Sequence, residues 1–418
     1  MTESTAGPGV GVTRRLVLAD IAHQYSVAPT EGAPTVVAEL APEAGNGTRA
    51  MELLRQEDTT AQAISLIDDA GAARPLPRPA EPLTTWACTR FPEEFTAYLS
   101  GALPPSAGPA GSPLAALAPL MLLRTHTAAD RPCTEVLMCA RVRTIGTLFV
   151  RAARFHHAAD AGLPEIVAEA LRHRTALQDH LRIENNAYLP YEKGVEIEQK
   201  VTLLDDASIW SLSKDIWTSV ENGGFPGFVT DPGYELTRWH FVQHNYEVVA
   251  PSEAAGHYAF QENPDGRYQL KMKTFPADAL RRTEIFRKGV EVPDQNFDEY
   301  LAREFPGLTF RRLPSFRRTR FDVNVQSLAT GHCFGIESDE TTVDGPDGRK
   351  LRQVEMEYLE TRWHEGMDAS SIDDELRRLT DLVEAFLAKD GIAAERNFYS
   401  KLSFLKDCTA DAAAAVPS

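Results

Sequence analysis

The sequence is poor in cysteine, and its cysteines form no recognisable metal-ligand or disulfide pattern. Five are present in 418 residues, and none belongs to a Cys-x-x-Cys pair. Scattered cysteines of odd number argue against both a zinc site and a disulfide framework. We therefore expect reduced thiols and, with them, a cytoplasmic protein.

The sequence also has no apolar run long enough to cross a membrane. A spanning helix requires ~20 predominantly apolar residues. The best run, LAALAPLMLL at 114–123, is much shorter and contains Pro119. The first residues, MTESTAGPGVGVTRR, lack the apolar region of a signal peptide. We expect no membrane partner, and we interpret 114–123 as a buried helix.

Positive charge is scarce. Lys and Arg number 43 against 60 Asp and Glu, which gives a formal net charge of −17. This balance disfavours a general attraction to nucleic acid or to anionic membranes, so neither is an expected partner. Cations that bind a polyanion would have to be gathered in one place. The hydrophobic content of 43% supports a sizeable core, and the length leaves room for two domains.

The first half of the chain carries no catalytic motif. Residues 1–12 read as a disordered tail. Residues 13–185 read as an N-terminal domain of unknown function, with strand-like runs as far as about Leu99 and then a helical block over 113–181. A docking domain, a second catalytic unit and a lid are all open interpretations of this half.

The pattern changes near Pro190. Over 190–406, charged and apolar residues alternate with a period of two in segment after segment, which predicts strands. Two helices are predicted among them, over 205–223 and 371–391, the second with a serine cap and a terminal glycine. Residues 407–418 read as a second disordered tail.

Charged side chains in these strands share faces and are sorted by sign. Since residues i and i+2 lie on one face of a strand, VEIEQK places Glu196, Glu198 and Lys200 together. The cations on such faces are Lys200, Lys271, Lys273, Arg287, Arg318 and Arg320, and the carboxylates are Glu196, Glu198, Glu337, Asp339, Glu355 and Glu357. A solvated sheet face would explain the alternating charged residues of any single strand. It does not explain why the charged residues of whole strands are all cations or all anions.

If the strands close into a barrel, these faces form a charged interior. Buried charges at such density need counter-charges and water. A chain of phosphates would neutralise the cations, and Mg²⁺ or Mn²⁺ would neutralise the carboxylates while bridging to phosphate oxygens. The pattern therefore predicts a polyphosphate and metal site without a glycine-rich phosphate loop.

The segment Glu196-Ile-Glu-Gln-Lys200 resembles the ExExK signature of the CYTH superfamily, the triphosphate tunnel metalloenzymes. A predicted helix and then basic and acidic strands follow it, so the resemblance covers about 190–406. It implies an α+β protein. Its C-terminal half would be an eight-stranded antiparallel β tunnel with flanking helices, after a separate N-terminal domain of mixed α and β content. The family includes inorganic, thiamine and RNA triphosphatases, adenylate cyclases and polyphosphate polymerases.

Further motifs extend the resemblance and imply roles for individual residues. YQLKMK resembles the family's lysine strand, SFRRTRF its basic strand, IESD and VEMEY its acidic strands, and YSKLSFL its terminal lysine segment, while TEIFRK is a looser match. The implied phosphate ligands are Lys200, Lys271, Lys273, Arg287, Arg318, Arg320 and Lys401. The implied metal ligands are Glu196, Glu198, Glu355 and Glu357, and the implied catalytic residues are Lys200, Arg320, Glu337 and Asp339.

The sequence departs from the family in the strand before the lysine strand. Where the family has a basic pair, GHYAFQE places Tyr258, Ala259, Phe260 and Gln261. Loss of such cations removes about 1–3 kcal/mol of binding per charge-assisted contact. Either the ligand carries fewer phosphates, or the neighbouring lysines Lys271 and Lys273 bind phosphate in place of the missing pair, or the site has diverged from that of the family. Tyr258 and Phe260 could instead stack on an organic group such as a base.

The leading hypothesis is metal-dependent hydrolysis of a small molecule that carries a triphosphate group, such as inorganic, nucleoside or thiamine triphosphate. Glu337 or Asp339 would orient the attacking water. Two alternatives stay open. One is a non-catalytic sensor of polyphosphate or nucleotide, and the other is an adenylate-cyclase-like reaction. Substrate identity is open, and a homodimer is one candidate for the oligomeric state.

Overall fold

The computed structural model describes residues 12–23, 27–41, 49–68, 70–103, 113–182, 188–231, 236–274, 280–344 and 348–414. Its contacts divide the chain into two units. The first holds the chain as far as Leu189 with Leu328–Gly331 and Arg362–Asp368, and the second holds Pro190–Ser327, His332–Thr361 and the chain from Ala369 onward. The predicted tail over 1–12 lies outside the described residues except for Val12.

The first unit is built on one antiparallel sheet. Its strands are β1 (Thr13–Asp20), β2 (Thr35–Leu40), β3 (Met51–Leu54), β4 (Thr60–Ile67), β5 (Ala73–Pro75), β6 (Leu83–Thr84), β7 (Leu117–Ala128), β8 (Arg131–Arg143) and β9 (Gly146–His156). The short β10 (Tyr188–Leu189) comes next in the chain and is not part of this sheet. In the sheet the order is β3-β9-β8-β7-β1-β2-β4-β5, and β6 pairs with β4. The unit also contains helices α1 (Glu93–Ala102) and α2 (Leu163–Arg182).

Both faces of this sheet are buried. On β1, Leu16 and Leu18 belong to a core that includes Phe95 of α1. Val17, on the opposite face, belongs to a core that includes Val167 of α2. The two helices therefore cover opposite faces of one sheet.

The predicted helical block over 113–181 is wrong over much of its length. Residues 117–156 form the three strands β7, β8 and β9, and only α2 is a regular α-helix in this stretch. The run 114–123, interpreted above as a helix, lies mainly in β7. Because both faces of this strand are buried, its sequence is continuously apolar, and periodicity alone cannot distinguish such a strand from a buried helix.

Eight strands of the second unit close into an antiparallel barrel. They are β11 (Val195–Leu203), β13 (Thr237–Ala250), β14 (Gly256–Glu262), β15 (Tyr268–Thr274), β16 (Arg281–Val290), β17 (Thr309–Ser327), β18 (His332–Val343) and β19 (Lys350–Arg362). The order is β11-β19-β18-β17-β13-β14-β15-β16, and β16 pairs again with β11 to close the ring. The short strands β12 (Phe228–Thr230) and β20 (Ala394–Asn397) pair with β17 and β11.

Helices flank this barrel. Those of the second unit are α3 (Ile209–Glu221), α4 (Phe297–Glu304), α5 (Ile372–Lys389) and α6 (Lys401–Ala414). Helices α3 and α5 share a core with Ile197 and Val201 of β11, and they confirm the two helices predicted over 205–223 and 371–391. The predicted tail over 407–418 is wrong as far as Ala414, because α6 continues to that residue.

The structure therefore confirms a closed eight-stranded antiparallel barrel with flanking helices, and a separate sheet precedes it in the chain. Among the described residues, no helix combines the length and the apolar character that crossing a bilayer requires.

Candidate functional site

The barrel interior is charged because alternate residues of its strands face inward. On β11, Glu196, Glu198 and Lys200 are buried on the inner face, whereas Ile197 and Val201 pack against the outer helices. The cavity inside has about 520 Å³ of space not filled by atoms, including open solvent at its mouth. Its charged lining is Glu196, Lys200, Lys271, Lys273, Arg282, Arg318, Arg320, Glu355 and Lys401.

Two arginines of β17 share carboxylates from the neighbouring strands. Arg318 Nε donates to Asp339 Oδ1 at 2.8 Å, and Arg320 Nε donates to the same oxygen at 3.1 Å. Both guanidinium groups also contact Glu355 Oε2, at 3.0 and 2.9 Å. Burial lowers the pKa of Arg320, but Asp339 and Glu337 more than offset this and hold that pKa well above its usual value. Arg320 is therefore a permanent cation of the cavity.

Two lysines reach the same carboxylate from other elements. Lys200 Nζ donates to Glu355 Oε1 at 2.5 Å, and Lys401 Nζ, at the start of α6, donates to it at 2.7 Å. Lys401 also lies 3.0 Å from Asp339. Burial raises the pKa of Glu355, but Lys200 and Lys401 outweigh it and hold that pKa well below its usual value. Glu355 is therefore ionised and acts as a shared counter-ion for the basic side chains around it.

A second cluster joins β15 to β11 and β16. Lys273 Nζ donates to Glu196 Oε1 at 2.7 Å, and Lys271 Nζ lies 2.5 Å from Glu284 and 3.7 Å from Glu196. Burial raises the pKa of Glu196, but Lys273 and Lys271 outweigh it and hold that pKa at about 2. The two lysines therefore sit between two ionised carboxylates.

Strand β16 contributes two interior side chains that the sequence analysis missed. Arg282 is buried and contacts Glu198, and Glu284 contacts Lys271. The strand reads RRTEIFRKGV, with charged residues on both faces, so its alternation did not show which face is internal. Pairing with β11 decides which face of β16 is internal, because Arg282 lies opposite the interior residue Glu196.

The prediction that Arg287 binds phosphate in the barrel interior is wrong, because Arg287 lies outside the interior. Arg287 is exposed, lies 3.5 Å from Glu304 of α4 and stacks over the Phe305 ring at 4.8 Å. Residues an odd number of places apart on a strand face opposite sides. Arg287 is therefore on the outer face, opposite to Arg282 and Glu284.

Three carboxylates form a group that suits a metal ion. One ligand oxygen from each of Glu196, Glu284 and Glu357 lies within 4.8 Å of the others. The Glu357 carboxylate makes no ion pair or hydrogen bond within the described part of the chain. Burial, Glu196 and Glu198 raise its pKa to about 8. Three oxygen ligands, one of them from a carboxyl group without a cationic partner among the described residues, fit a hard divalent cation such as Mg²⁺ or Mn²⁺.

Of the four metal ligands implied by the resemblance, the structure places two in the group of three carboxylates and pairs the other two with basic side chains. Glu196 and Glu357 belong to this group, whereas Glu198 contacts Arg282 and lies 2.8 Å from Lys200. Glu355 is the shared counter-ion of the basic side chains described above. The metal ligation of all four stays a prediction, and Glu284 is the carboxylate that sequence reasoning did not include.

Strand β18 supplies the two carboxyl groups that were predicted to orient water. Glu337 and Asp339 are both buried on the inner face. Asp339 contacts Arg318, Arg320 and Lys401, as described above. Burial raises the pKa of Glu337 well above its usual value despite its contact with Arg320. Glu337 is therefore an interior carboxyl group that can carry a proton.

The interpretation of Tyr258 and Phe260 as a platform for a base is wrong. Both side chains belong to an outer core in which Phe260 packs on Phe297 of α4, with ring centroids 4.8 Å apart. The inner face of β14 instead presents His257 and Ala259 to the cavity. A stacking argument for a cyclase is thereby removed.

Comparisons with known proteins reveal only distant similarity. No family model matches the chain, and no curated protein matches its sequence. Among solved structures, the chain is similar to HpAC1 from Hippeastrum, named as an adenylyl cyclase with a dominant triphosphatase activity (18% identity, 51% of this chain and 95% of that chain, TM-score 0.29). It is also similar to the PH1819 protein from Pyrococcus horikoshii OT3, with 16% identity over 51% of this chain and 98% of that chain and a TM-score of 0.30. A third similar structure is the Pct1 RNA triphosphatase of S. pombe, with 14% identity over 47% of this chain and 80% of that chain and a TM-score of 0.21.

Proposed function

We propose that the barrel binds the triphosphate group of a small molecule and hydrolyses its terminal phosphoric anhydride with the help of a divalent cation. The observation that supports this most directly is the convergence of basic side chains on one cavity inside the barrel, in a chain of net charge −17. Cations gathered against the overall charge of a protein are typical of a polyanion site. The resemblance of residues 196–200 to the ExExK signature agrees with this proposal.

Six basic residues would bind the phosphates. They are Lys200, Lys271, Lys273, Arg318, Arg320 and Lys401. Each contacts an interior carboxylate, so these cations are already desolvated and held in place. Phosphate oxygens would take over these charge-assisted hydrogen bonds, and the planar guanidinium groups of Arg318 and Arg320 suit two-point contacts with them.

Glu196, Glu284 and Glu357 would hold Mg²⁺ or Mn²⁺. The repulsion that Glu196 and Glu198 impose on Glu357 is relieved when a cation lies among these carboxylates. When bound, such an ion polarises phosphate oxygens and lowers the pKa of a coordinated water.

The reaction would be an in-line displacement. A water oxygen forms a bond to the terminal phosphorus while the bond from that phosphorus to the bridging oxygen breaks, and the water releases a proton. Glu337 or Asp339 would orient the water, and Glu337 is suited to exchange the proton. Arg320 and Lys200 would stabilise the negative charge on the departing phosphate.

Phosphate release with Mg²⁺ or Mn²⁺ tests the proposal. The panel would contain tripolyphosphate, thiamine triphosphate and nucleoside triphosphates. We expect Arg320→Ala to reduce kcat/KM by about 100-fold or more, because it removes a cation held against the site of charge development. Arg287→Ala is the matched control, since it removes an arginine from the outer face of the same barrel, and it should retain wild-type activity.

Equal activity of the Arg320→Ala and wild-type proteins would contradict the assignment. Tight calorimetric binding of triphosphate without turnover in either metal would favour the sensor, and cyclic AMP with pyrophosphate as products of ATP would favour the cyclase. The cytoplasmic location and the homodimer stay predictions.

A further inference from the structure

One arc of the barrel interior is polar but uncharged. It consists of Gln243 and Asn245 on β13, His257 and Gln261 on β14, and Gln269 on β15, and we call these five residues the neutral ladder. Gln243, Asn245 and His257 are buried, and the cavity is lined by Gln243 and His257 together with the small Ala259. The neutral ladder therefore adjoins the lysine strand β15 without adding charge to the cavity.

Hydrogen bonds connect the ladder across the three strands. Gln269 Nε2 donates to Gln261 at 3.2 Å, Gln261 Nε2 donates to Gln243 at 3.1 Å, and Gln243 Nε2 donates to Asn245 Oδ1 at 2.7 Å. His257 Nε2 lies 3.0 Å from the same Asn245 oxygen. Most polar atoms of the ladder are thus paired with one another, which holds the side chains in fixed positions.

The hydrogen bonds of Asn245 determine which nitrogen of His257 carries the proton. Asn245 Nδ2 donates to the carbonyl oxygens of Gln243 and Pro314, so Oδ1 is the acceptor and His257 Nε2 is the donor. Burial, Lys273 and Lys271 lower the pKa of His257 to about 3, so the ring is neutral. Nδ1 of a neutral ring protonated at Nε2 is an acceptor, and no described residue donates to it.

An unused acceptor beside the cavity selects for a particular ligand chemistry. A phosphate oxygen is itself an acceptor, so it gains nothing from His257 Nδ1 and is repelled by its lone pair. A hydroxyl or N–H group of a ligand would satisfy it. Ala259 lines the same cavity with only a methyl group, so a longer side chain at this position would intrude into it.

We propose that the neutral ladder is a subsite for an uncharged hydrogen-bond donor on the organic part of the substrate, so that the barrel takes an organic triphosphate in preference to inorganic triphosphate. This inference rests on the proposed function. The lysines and arginines of the other strands bind the phosphates, and His257 Nδ1 accepts a hydrogen bond from a hydroxyl or N–H group next to the phosphate chain.

Three kinds of triphosphate separate the contributions. Nucleoside and thiamine triphosphates carry hydroxyl or amino donors, methyl triphosphate is organic but has no donor, and tripolyphosphate has no organic part. With Mg²⁺, we expect the best donor-bearing substrate to exceed the other two in kcat/KM by about tenfold, the effect of one hydrogen bond of about 1.4 kcal/mol. A wild-type protein that hydrolyses tripolyphosphate as well as every organic substrate would overturn the inference and leave the proposed function intact.

Two variants test the ladder itself. His257→Leu should lower kcat/KM for the preferred organic substrate by about tenfold and affect tripolyphosphate much less. Ala259→Lys adds a cation to the arc and should shift selectivity toward tripolyphosphate. His240→Leu removes an exposed histidine of β13 and should leave selectivity unchanged.

An equal loss for all substrates in His257→Leu would overturn the subsite. If circular dichroism shows that this variant does not fold, Ala259→Lys decides, since unchanged selectivity in that variant contradicts the inference. If the wild-type protein neither binds nor hydrolyses any triphosphate, the proposed function fails, and the inference fails with it.

Discussion

Lys200 and Glu355 lie directly opposite each other on β11 and β19, and Lys200 Nζ donates to Glu355 Oε1 at 2.5 Å. Arg318, Arg320 and Lys401 contact the same carboxylate. Glu355 is thus the common counter-ion for basic side chains from three separate elements. An anion that enters the cavity has to compete with Glu355 for these contacts.

Glu355→Gln tests the role of Glu355 as a counter-ion. The substitution keeps the shape but leaves buried cations without their counter-ion, so we expect the free energy of unfolding to fall by about 3–5 kcal/mol. Tripolyphosphate should raise the thermal midpoint of this variant more than that of the wild type, because the added anion replaces the missing charge. Thermal unfolding with and without tripolyphosphate measures both effects. Glu253→Gln, at an exposed position of the same unit, is the control, and equal behaviour of the two variants would argue against a counter-ion role.

Glu284→Gln should weaken metal binding. Glu284 belongs to the group with Glu196 and Glu357, so we expect the Kd for Mn²⁺ to rise by about tenfold or more when one ligand oxygen loses its charge. Titration of Mn²⁺ by electron paramagnetic resonance measures this directly. Glu291→Gln, at an exposed position just beyond the end of β16, should bind Mn²⁺ as the wild type does. An unchanged Kd in Glu284→Gln would place the metal elsewhere.

His257 should make stability depend on pH. Its pKa in the folded protein is about 3, because burial, Lys273 and Lys271 disfavour the charged ring. An unperturbed histidine has a pKa of about 6.5, so below that pH the unfolded chain binds a proton that the folded protein excludes. The contribution to the free energy of unfolding is therefore complete above pH ~6.5 and falls by at most ~1.4 kcal/mol per pH unit as the pH decreases toward 3.

Urea denaturation at neutral pH and at successively lower pH tests this expectation. His257→Gln lacks the titrating ring, so its stability should decline less steeply than that of the wild type. His240→Gln, which removes an exposed histidine of β13, should retain the wild-type slope. Identical slopes for His257→Gln and the wild type would show that His257 titrates normally in the folded protein.

Much of the barrel could be predicted because its strands are amphipathic. Residues 195–203 alternate so regularly that the shared face of Glu196, Glu198 and Lys200 follows from the period of a strand alone. The same reasoning failed for β7, since a strand buried on both faces has no alternation to read. It failed again on β16, where charged residues occupy both faces, so Arg287 was chosen in place of Arg282 and Glu284.

The amino-acid sequence by itself determined which side chains share a strand face and how those faces are sorted by charge, because alternation is a local property of an extended chain. Only the tertiary structure decided which face turned inward on β16, which carboxylate met which cation, and that Tyr258 and Phe260 pack outside on α4. These outcomes depend on strand pairing between residues far apart in the chain. The opposition of Lys200 to Glu355 arises only when the barrel closes and sets the register of β11 against β19.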